Sequence, residues 1–338
     1  MKLTLEKIRE IASGAVSVYE EDGYIRLHRF TDAERELYLK TNSDFYGKAL
    51  ATSGIKLCFK TDSTSLTLKG VVELGLSRRY YSFDVFVNGK VIGYIDNFGD
   101  REMPQYYVDE YFELPENFDK TFELGEGEKT VCVHLPWSVM TKISEVSLDD
   151  GASVIPAKPD KKLLAYGDSI TQGYDALRPS NRYIARIADK LGAEEINKAI
   201  GGERFFADLA ELKDDFAPDY ITVAYGTNDW STTDIETFRH HCRLFYTKLA
   251  ENYPDSKIFA LTPIWRKDMV EYRVFGQLDQ VEEEIRNIVK DIDNITLIRG
   301  FDFVPKDENY FADLRLHPND DGFGYYFENL YKEIDKLL

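Results

Sequence analysis

The sequence predicts two parts with different secondary structure, an antiparallel β-sandwich of jelly-roll type followed by an α/β part with a parallel sheet. Residues 1–150 contain short apolar runs with period-two alternation, separated by Gly, Asn, Asp and Ser, whereas residues 160–338 alternate apolar runs with longer helical patterns. Between the two parts, residues 151–159 carry two prolines and no periodicity. We therefore expect two domains, 1–150 and 160–338, joined by a linker at 151–159.

The first part is expected to begin with one short amphipathic helix, because apolar residues recur at helical spacing between Leu3 and Ile11. Strand-like runs follow at 55–59, 65–68, 83–87 and 91–95. Asn88-Gly89 between the last two runs predicts a hairpin, since a type I′ turn needs positive φ at both central positions. A second hairpin is predicted for 122–124 and 130–133, around Gly125 to Gly127.

The second part alternates strand-like runs with helical patterns. The runs lie at 162–166, 195–200, 220–225, 258–261 and 295–298, and the clearest helical patterns are Ile235–Asn252 and Val281–Ile292. This alternation predicts a parallel sheet covered by helices on both faces, with functional loops at the carboxyl ends of the strands.

The net charge of −18 excludes several classes of partner. Nucleic acids and anionic lipid surfaces need a basic patch, so we expect neither as a partner and favour a neutral substrate. The N-terminus has no secretory h-region and no segment has the length of a membrane span, which predicts a cytoplasmic protein unless a signal has been removed. Cys58, Cys132 and Cys242 lie far apart in apolar or amphipathic runs and are expected to be small buried hydrophobes. A homo-oligomer is left open.

Three polar clusters each follow one of the predicted parallel strands, and a fourth precedes the final helical pattern. They lie at 167–173, 201–203, 226–230 and 313–322. Gly, Asp and Asn are ordinary loop and cap residues, so each cluster taken singly has a structural explanation. All four together indicate a functional site at the carboxyl edge of the sheet.

The residues in these clusters suit nucleophilic acyl transfer. A serine hydroxyl needs a histidine base and hydrogen-bond donors for the developing oxyanion. Ser169 supplies the hydroxyl and His317 the base, while the N–H groups of Ser169 and Gly202 and the amide of Asn228 supply the donors. The other four histidines lie in predicted strands or side by side on a helix. Asp168 is expected to cap a turn rather than to act catalytically.

The four clusters, in order, resemble the four sequence blocks of the SGNH/GDSL hydrolase family. Gly167-Asp168-Ser169-Ile170 resembles the first block, Gly202 the second, Gly226-Thr227-Asn228-Asp229 the third and His317 the last. The resemblance covers about 160–338 and implies a flavodoxin-like three-layer fold and an acyl-enzyme on Ser169. It also implies ester hydrolysis without a metal or another cofactor.

One departure from the family pattern concerns the aspartate that orients the histidine. The family usually places it three residues before the histidine, whereas here position 314 is leucine and Asp313 lies four before His317. Both spacings reach one face of a helical turn, although Pro318 disfavours helical geometry at His317. Asp313 is therefore the expected orienter, and a Ser-His dyad with a backbone carbonyl is the alternative.

The pairing of the two parts resembles that of carbohydrate acetyl-esterases. We expect a serine esterase that removes short acyl groups, acetyl first, from a small-molecule or oligosaccharide ester, with Tyr174, Trp230 and Trp265 as candidate pocket walls. Lipase, thioesterase and acyltransferase activities remain alternatives within the same chemistry. A carbohydrate-binding protein with a decayed hydrolase domain is the alternative from another class.

Overall fold

The computed structural model describes residues 1–99, 103 and 111–338. The first half contains strands β1 Ala12–Ser13, β2 Ser17–Glu21, β3 Tyr24–His28, β4 Lys56–Thr61, β5 Ser65–Leu74, β6 Ser82–Val87, β7 Lys90–Asp96, β8 Glu116–Glu123, β9 Lys129–His134, β10 Val139–Leu148 and β11 Ile155–Pro156. The second half contains β12 Lys161–Gly167, β13 Ala193–Asn197, β14 Tyr220–Ala224, β15 Lys257–Leu261 and β16 Ile295–Ile298. The α-helices are α1 Leu5–Ile11, α2 Asp32–Thr41, α3 Ser43–Ala49, α4 Ser169–Gln172, α5 Tyr183–Leu191, α6 Ala207–Glu211, α7 Thr227–Thr232, α8 Ile235–Asn252, α9 Leu278–Val289 and α10 Asp320–Asp335.

The strands of the first half form two antiparallel sheets. One has the order β1-β4-β9-β6-β7, with β11 paired to β4, and the other has the order β2-β3-β10-β5-β8. Leu66 and Leu68 on β5 share one apolar core with Leu57 and Phe59 on β4, so the two sheets pack face to face. The antiparallel sheets predicted from period-two alternation are confirmed, while jelly-roll connectivity stays a prediction.

A helical pair, α2 and α3, lies in the first half and is not among the predicted elements. Thr31 and Glu34 form a capping box at the start of α2, in which each side chain accepts a hydrogen bond from the other residue's backbone N–H. Tyr38 on α2 is fully buried in the same core as Tyr166 on β12. Only Glu34 and Tyr38 of α2 are buried, which leaves the sequence with little apolar periodicity to reveal this helix.

The second half contains the predicted parallel sheet with helices on both faces. Residues of β12 alternate between the two faces, since Leu163 packs with Ile184 of α5 and Phe323 of α10, whereas Leu164 packs with Phe245 of α8. The sheet order is β13-β12-β14-β15-β16. The second strand, β13, therefore lies on one side of β12, and the later strands β14, β15 and β16 follow on the other side. In such sheets the crevice at the reversal point lies between the carboxyl ends of the first strands, where ligands bind. Ser169, Gly202 and Asn228 follow β12, β13 and β14 respectively.

One predicted hairpin is confirmed and the other is wrong. Asn88 and Gly89 have φ values of 49° and 75°, and they connect the paired strands β6 and β7. By contrast, β8 pairs with β5 in one sheet and β9 pairs with β4 and β6 in the other. The segment 124–128 therefore carries the chain between sheets instead of forming a hairpin turn.

The expectation for the cysteines is wrong for two of the three. Cys58 and Cys132 are direct partners on β4 and β9 and form a disulfide, whereas Cys242 is buried and unpaired as expected. The two positions are 74 residues apart, so only the strand register brings them together. The predicted linker also differs in part, because β11 within it pairs with β4. Among the described residues, no helix combines the length and apolar character needed to cross a bilayer.

Candidate active site

The predicted nucleophile lies at the junction of β12 and α4. Ser169 is the first residue of α4 and is 5% exposed. Asp168 caps this short helix, as expected, because its Oδ1 accepts a hydrogen bond of 2.9 Å from the N–H of Ile170. N–H groups in the first turn of a helix have no intrahelical acceptor, so the backbone N–H of Ser169 is suited to bind a substrate oxygen.

His317 lies against Ser169 from the loop that precedes α10. Its Nε2 is 2.9 Å from Ser169 Oγ, although the two residues are 148 positions apart. The loop is a tight turn in which Phe311 and Pro318 form an isolated bridge and the N–H of Ala312 donates to the carbonyl of His317 at 2.8 Å. This geometry is that of a serine hydroxyl and the imidazole that accepts its proton.

Asp313 contacts the other nitrogen of the same imidazole. Its Oδ2 is 3.0 Å from His317 Nδ1, and its Oδ1 accepts hydrogen bonds from the backbone N–H groups of Arg315, Leu316 and His317. The chain between the two residues is not helical, since Leu314 has φ of 56° in the left-handed region. The carboxylate thus organises its own turn, which accommodates the four-residue spacing.

A second carboxylate, absent from the residues predicted from the sequence, faces the same nitrogen. Asp175 Oδ2 is 3.2 Å from His317 Nδ1. Neither Asp175 nor Asp313 lies on the Nδ1–H direction closely enough for a straight hydrogen bond, so the two contacts are those of an ion pair shared by two carboxylates. The only sequence signal for Asp175 is its position six residues after Ser169, in the segment that follows α4.

These contacts determine the charge of the base. Burial by itself lowers the pKa of His317, but Asp175 and Asp313 outweigh it and raise the pKa to about 9. Burial acts to raise the pKa of each carboxyl, and the contact with His317 outweighs it, so the pKa of Asp313 is held well below its ordinary value and that of Asp175 falls to about 2. The neutral imidazole, which is the form able to accept a proton, therefore becomes more abundant as the pH rises toward 9.

The three predicted oxyanion donors come from three adjacent loops. Gly202 has φ of 90°, a conformation that favours glycine, and it lies between two residues whose backbones are fixed. The N–H of Gly201 donates to Gln172 Oε1 at 2.8 Å, and the N–H of Glu203 donates to the carbonyl of Ile200. Asn228 lies in the first turn of α7 and donates one Nδ2 hydrogen to the carbonyl of Glu203 at 2.9 Å, so the amide retains a second hydrogen for a substrate.

Glu203, which is not among the site residues predicted from the sequence, helps to fix the loop that contains Gly201 and Gly202. Its buried carboxyl accepts hydrogen bonds from the hydroxyls of Tyr38 on α2 and Tyr225 after β14. Burial raises the pKa of Glu203 to about 8. The backbone of Glu203 contacts Asn228 while its side chain contacts the first half of the chain, so α2 supports the oxyanion loop.

The three aromatic residues predicted as pocket walls occupy different surroundings. The Tyr174 ring packs on the His317 ring at 5.5 Å between centroids and extends to Gly201, so Tyr174 lies in the site. Trp230 is fully buried with guanidinium groups over its ring, which makes it a core residue and not a pocket wall. Trp265 packs against Phe311, in the turn that carries His317, at 5.3 Å between ring centroids.

A cavity of about 230 Å³ opens beside the carboxylates that face His317. Its lining combines aromatic and apolar side chains with carboxyl and amide groups, including Tyr80, Phe112, Phe311, Asn309, Asn319 and Asp320. Tyr80 and Phe112 belong to the first half of the chain, so both halves of the protein enclose this space.

Among the described residues, Asp175, Asp313 and His317 form a group whose donor atoms lie within 4.8 Å of one another, close enough to hold one metal ion. In this arrangement the imidazole Nδ1 itself faces both carboxylates, and Arg78 neutralises Asp175. The group therefore has the form of an oriented base rather than of an open cation site.

Comparison with solved structures gives similar folds along nearly the whole chain. The chain is similar to the salicylyl-acyltransferase SsfX3 from a tetracycline biosynthetic pathway, with 20% identity, a TM-score of 0.78, and coverage of 96% of this chain and 94% of that chain. It is also similar to a protein described as a GDSL-like lipase from Bacteroides ovatus, with 19% identity, a TM-score of 0.77, and coverage of 99% and 97%. A family two carbohydrate esterase from Clostridium thermocellum in complex with cellohexaose has 18% identity, a TM-score of 0.61, and coverage of 85% and 94%.

Sequence comparison assigns the second half of the chain to a family. No curated protein sequence matches the chain significantly. Residues 165–324 match the sequence profile of the GDSL-like lipase/acylhydrolase family, and this segment contains all four clusters described above. Residues 165–324 thus belong to the GDSL-like lipase/acylhydrolase family, and the chain is a carboxylic ester hydrolase.

Proposed function

We propose that the chain removes short acyl groups, acetyl first, from a saccharide through an acyl-enzyme on Ser169. The family membership gives the coarser activity, ester hydrolysis, and a solved structure of similar fold is that of an acyltransferase. The observation that carries the proposal is the 2.9 Å contact between Ser169 Oγ and His317 Nε2, with carboxylates at Nδ1 of the same ring.

In the proposed first half-reaction, neutral His317 takes the Ser169 proton as Oγ attacks the ester carbonyl. Negative charge then develops on the carbonyl oxygen, where the N–H groups of Ser169 and Gly202 and the Asn228 amide stabilise it. When the tetrahedral intermediate collapses, the bond to the alcohol breaks and His317 gives its proton to the departing oxygen. In the second half-reaction, water attacks the acyl-enzyme by the same route and Ser169 recovers its proton.

The direction of proton transfer indicates where the alcohol part lies. The departing oxygen must receive its proton from His317, so the alcohol occupies the histidine side of Ser169. The cavity of about 230 Å³ adjoins the carboxylates at Nδ1 of His317, and its mixture of aromatic rings with amide and carboxyl groups suits a sugar ring. The net charge of −18 agrees with a neutral saccharide substrate. Carbohydrate esterases among proteins of the same fold add support.

Tyr174 supports the preference for a short acyl group. Its ring covers His317, and the Tyr174 hydroxyl lies only 2.4 Å from the point where a Cβ on Gly201 would be. A bulky ring wedged between the base and the glycine loop limits the space for a long chain. The decayed-hydrolase alternative required that the shifted aspartate disable the base, and the 3.0 Å contact of Asp313 with Nδ1 speaks against it.

The test is a panel of p-nitrophenyl esters of increasing acyl length, measured alongside acetylated oligosaccharides. We expect kcat/KM to be highest between acetate and butyrate, because extra methylenes that meet a wall cost about 1–3 kcal/mol. A steady climb of roughly fourfold per carbon through octanoate would contradict the proposal and indicate a deep acyl pocket, since each buried methylene contributes about 0.8 kcal/mol. The Ser169→Ala variant supplies the background rate.

Acyl transfer is the second candidate, because the likeness to the acyltransferase SsfX3 spans 96% of this chain. The two activities differ only in whether water or an alcohol attacks the acyl-enzyme. Adding free oligosaccharide during hydrolysis of p-nitrophenyl acetate distinguishes them. Release of acetate alone supports hydrolysis, whereas acetylated oligosaccharide as the main product supports transfer.

A further inference from the structure

A residue of the first half reaches the group that orients His317. Arg78 lies between β5 and β6, far in sequence from the four clusters. Its Nε is 2.6 Å from Asp175 Oδ1 and its Nη2 is 2.9 Å from Asp175 Oδ2, so the guanidinium holds the carboxylate with two parallel hydrogen bonds. The Arg78 and Asp175 side chains are only 21% and 7% exposed, where such a pair is weakly screened.

We propose that the first half of the chain completes the catalytic base, with Asp175 as a second positioning carboxylate beside Asp313 and Arg78 as the group that fixes Asp175 and tempers its charge. This inference rests on the proposed function, because it assigns to His317 the role of base for Ser169. It goes beyond that function by giving the N-terminal part a defined task in the reaction.

The shared contact at Nδ1 explains why two carboxylates are useful. Neither Asp175 nor Asp313 makes a straight hydrogen bond with Nδ1, so neither carboxylate alone fixes the ring in that way. Two carboxylates at 3.0 and 3.2 Å from the same nitrogen hold the ring more firmly than either one would alone. Asp313 is fixed by three backbone N–H groups of its own turn, whereas Asp175 is fixed by Arg78, with the hydroxyl of Tyr80 at 3.3 Å from Oδ1.

Charge balance gives Arg78 a second effect. The two carboxylates stabilise the imidazolium form of His317, and without Arg78 they would stabilise it still more and make His317 a poorer proton acceptor. The Arg78 guanidinium offsets the charge of Asp175 and so favours the neutral ring. It also lies over the Tyr174 ring at 5.2 Å, and Tyr174 packs on His317.

Charged and titratable groups surround His317 and the carboxylates that contact it. They are Asp313 on its own turn, Asp175 and Tyr174 after α4, Asp168 before Ser169, and Arg78 and Tyr80 from the first half of the chain. Among the described residues, the side-chain cations that form ion pairs with Asp175 or Asp313 are His317 and Arg78. The removal of Arg78 is therefore expected to change the basicity of His317 in one direction only.

The test compares the pH dependence of kcat/KM for p-nitrophenyl acetate in the full chain and in two variants. Asp175→Asn removes a negative charge at Nδ1, so the acid limb of the pH profile, where kcat/KM rises as His317 loses its proton, should move to lower pH by on the order of one unit. The plateau value of kcat/KM should also fall, because the ring loses part of its orientation. Arg78→Gln exposes His317 to the full charge of Asp175, so the limb should move to higher pH. Arg78→Lys keeps the charge and should restore the limb to its original position.

Opposite shifts are the result that a merely structural role would not produce. Lys69→Gln on β5 is the matched control, because it removes one partly exposed positive charge from the strand that precedes Arg78 and should leave the limb in place. An NMR titration of the His317 imidazole gives the same comparison without turnover. Limbs that stay in place, or that shift in the same direction in Asp175→Asn and Arg78→Gln, would overturn the inference.

Labelling by a fluorophosphonate in each variant separates this inference from the proposed function. If Ser169 is not labelled in the unaltered chain, the proposed function fails and this inference fails with it. If Ser169 is labelled and the limbs do not move in opposite directions, only the inference about Asp175 and Arg78 fails.

Discussion

Asn228→Ala should separate two contributions that one amide makes. The amide carries two hydrogens, of which one is donated to the carbonyl of Glu203 at 2.9 Å. The other is assigned to the oxyanion, whose full negative charge exists only in the transition state. Its loss should lower kcat by about 10²–10³, with little change in KM, because the neutral substrate carbonyl gains less from the same donor.

The hydrogen bond to Glu203 predicts a second, independent effect. Without Asn228, the half-buried carbonyl of Glu203 loses its donor, which should cost about 1 kcal/mol of unfolding free energy. Steady-state kinetics with p-nitrophenyl acetate measures the first effect and urea unfolding measures the second. We expect Asn228→Ala to lose a large part of kcat while losing too little stability for the chain to unfold.

Thr232→Ala is the matched control on the same helix. Its exposed hydroxyl donates to the backbone carbonyl of Asn228 at 3.0 Å, so the variant perturbs α7 while keeping the amide. The kcat of Thr232→Ala should stay close to that of the unaltered chain. An Asn228→Ala variant that raises KM with kcat unchanged would refute the oxyanion assignment, and so would an equal loss of kcat in Thr232→Ala.

Three further predictions concern the nucleophile, metal dependence and the internal ion pairs. A fluorophosphonate should label Ser169, and Ser169→Ala should abolish both labelling and turnover; label on another serine in the mass spectrum would refute the mechanism. Dialysis against EDTA should leave the hydrolysis rate unchanged, and a loss that zinc restores would contradict this. Lys198→Met should lower the urea-unfolding free energy by about 3–5 kcal/mol, because Glu34 and Asp214 would lose their buried cation, whereas exposed Lys190→Met should change it little.

Much of the parallel-sheet part was predictable because its signals are local. Apolar runs alternate with helical patterns there, and the helix predicted at Ile235–Asn252 has those same bounds in the structure. The order of the strands then follows from the general rules for such sheets, which bring successive loops to one edge. Ser169, Gly202, Asn228 and His317 each lie beside a strand end or a helix start, so their grouping was predictable without knowledge of any contact.

Contacts between distant segments were not predictable from these signals. Asp175 looks like an ordinary loop carboxylate until Arg78 and His317 are placed beside it, and they lie 97 and 142 residues away. The Cys58–Cys132 disulfide depends in the same way on a strand register that the sequence does not reveal. The failed hairpin at Gly125 to Gly127 shows the same limit, because a glycine turn does not distinguish a hairpin from a crossing between sheets.

The fully buried guanidinium of Arg29 has a consequence for how the chain is made. It donates to the carbonyls of Ala51 and Lys48 nearby, but also to those of Asn197 and Ala199, which are about 170 residues later in the sequence. During synthesis the first half leaves the ribosome before those two residues are added to the chain. The Arg29 guanidinium therefore stays hydrated until the carbonyls at the end of β13 become available. Gene fusions that exchange the second half for an unrelated one would leave the buried Arg29 guanidinium without its acceptors on Asn197 and Ala199, so we expect such fusions to fold poorly.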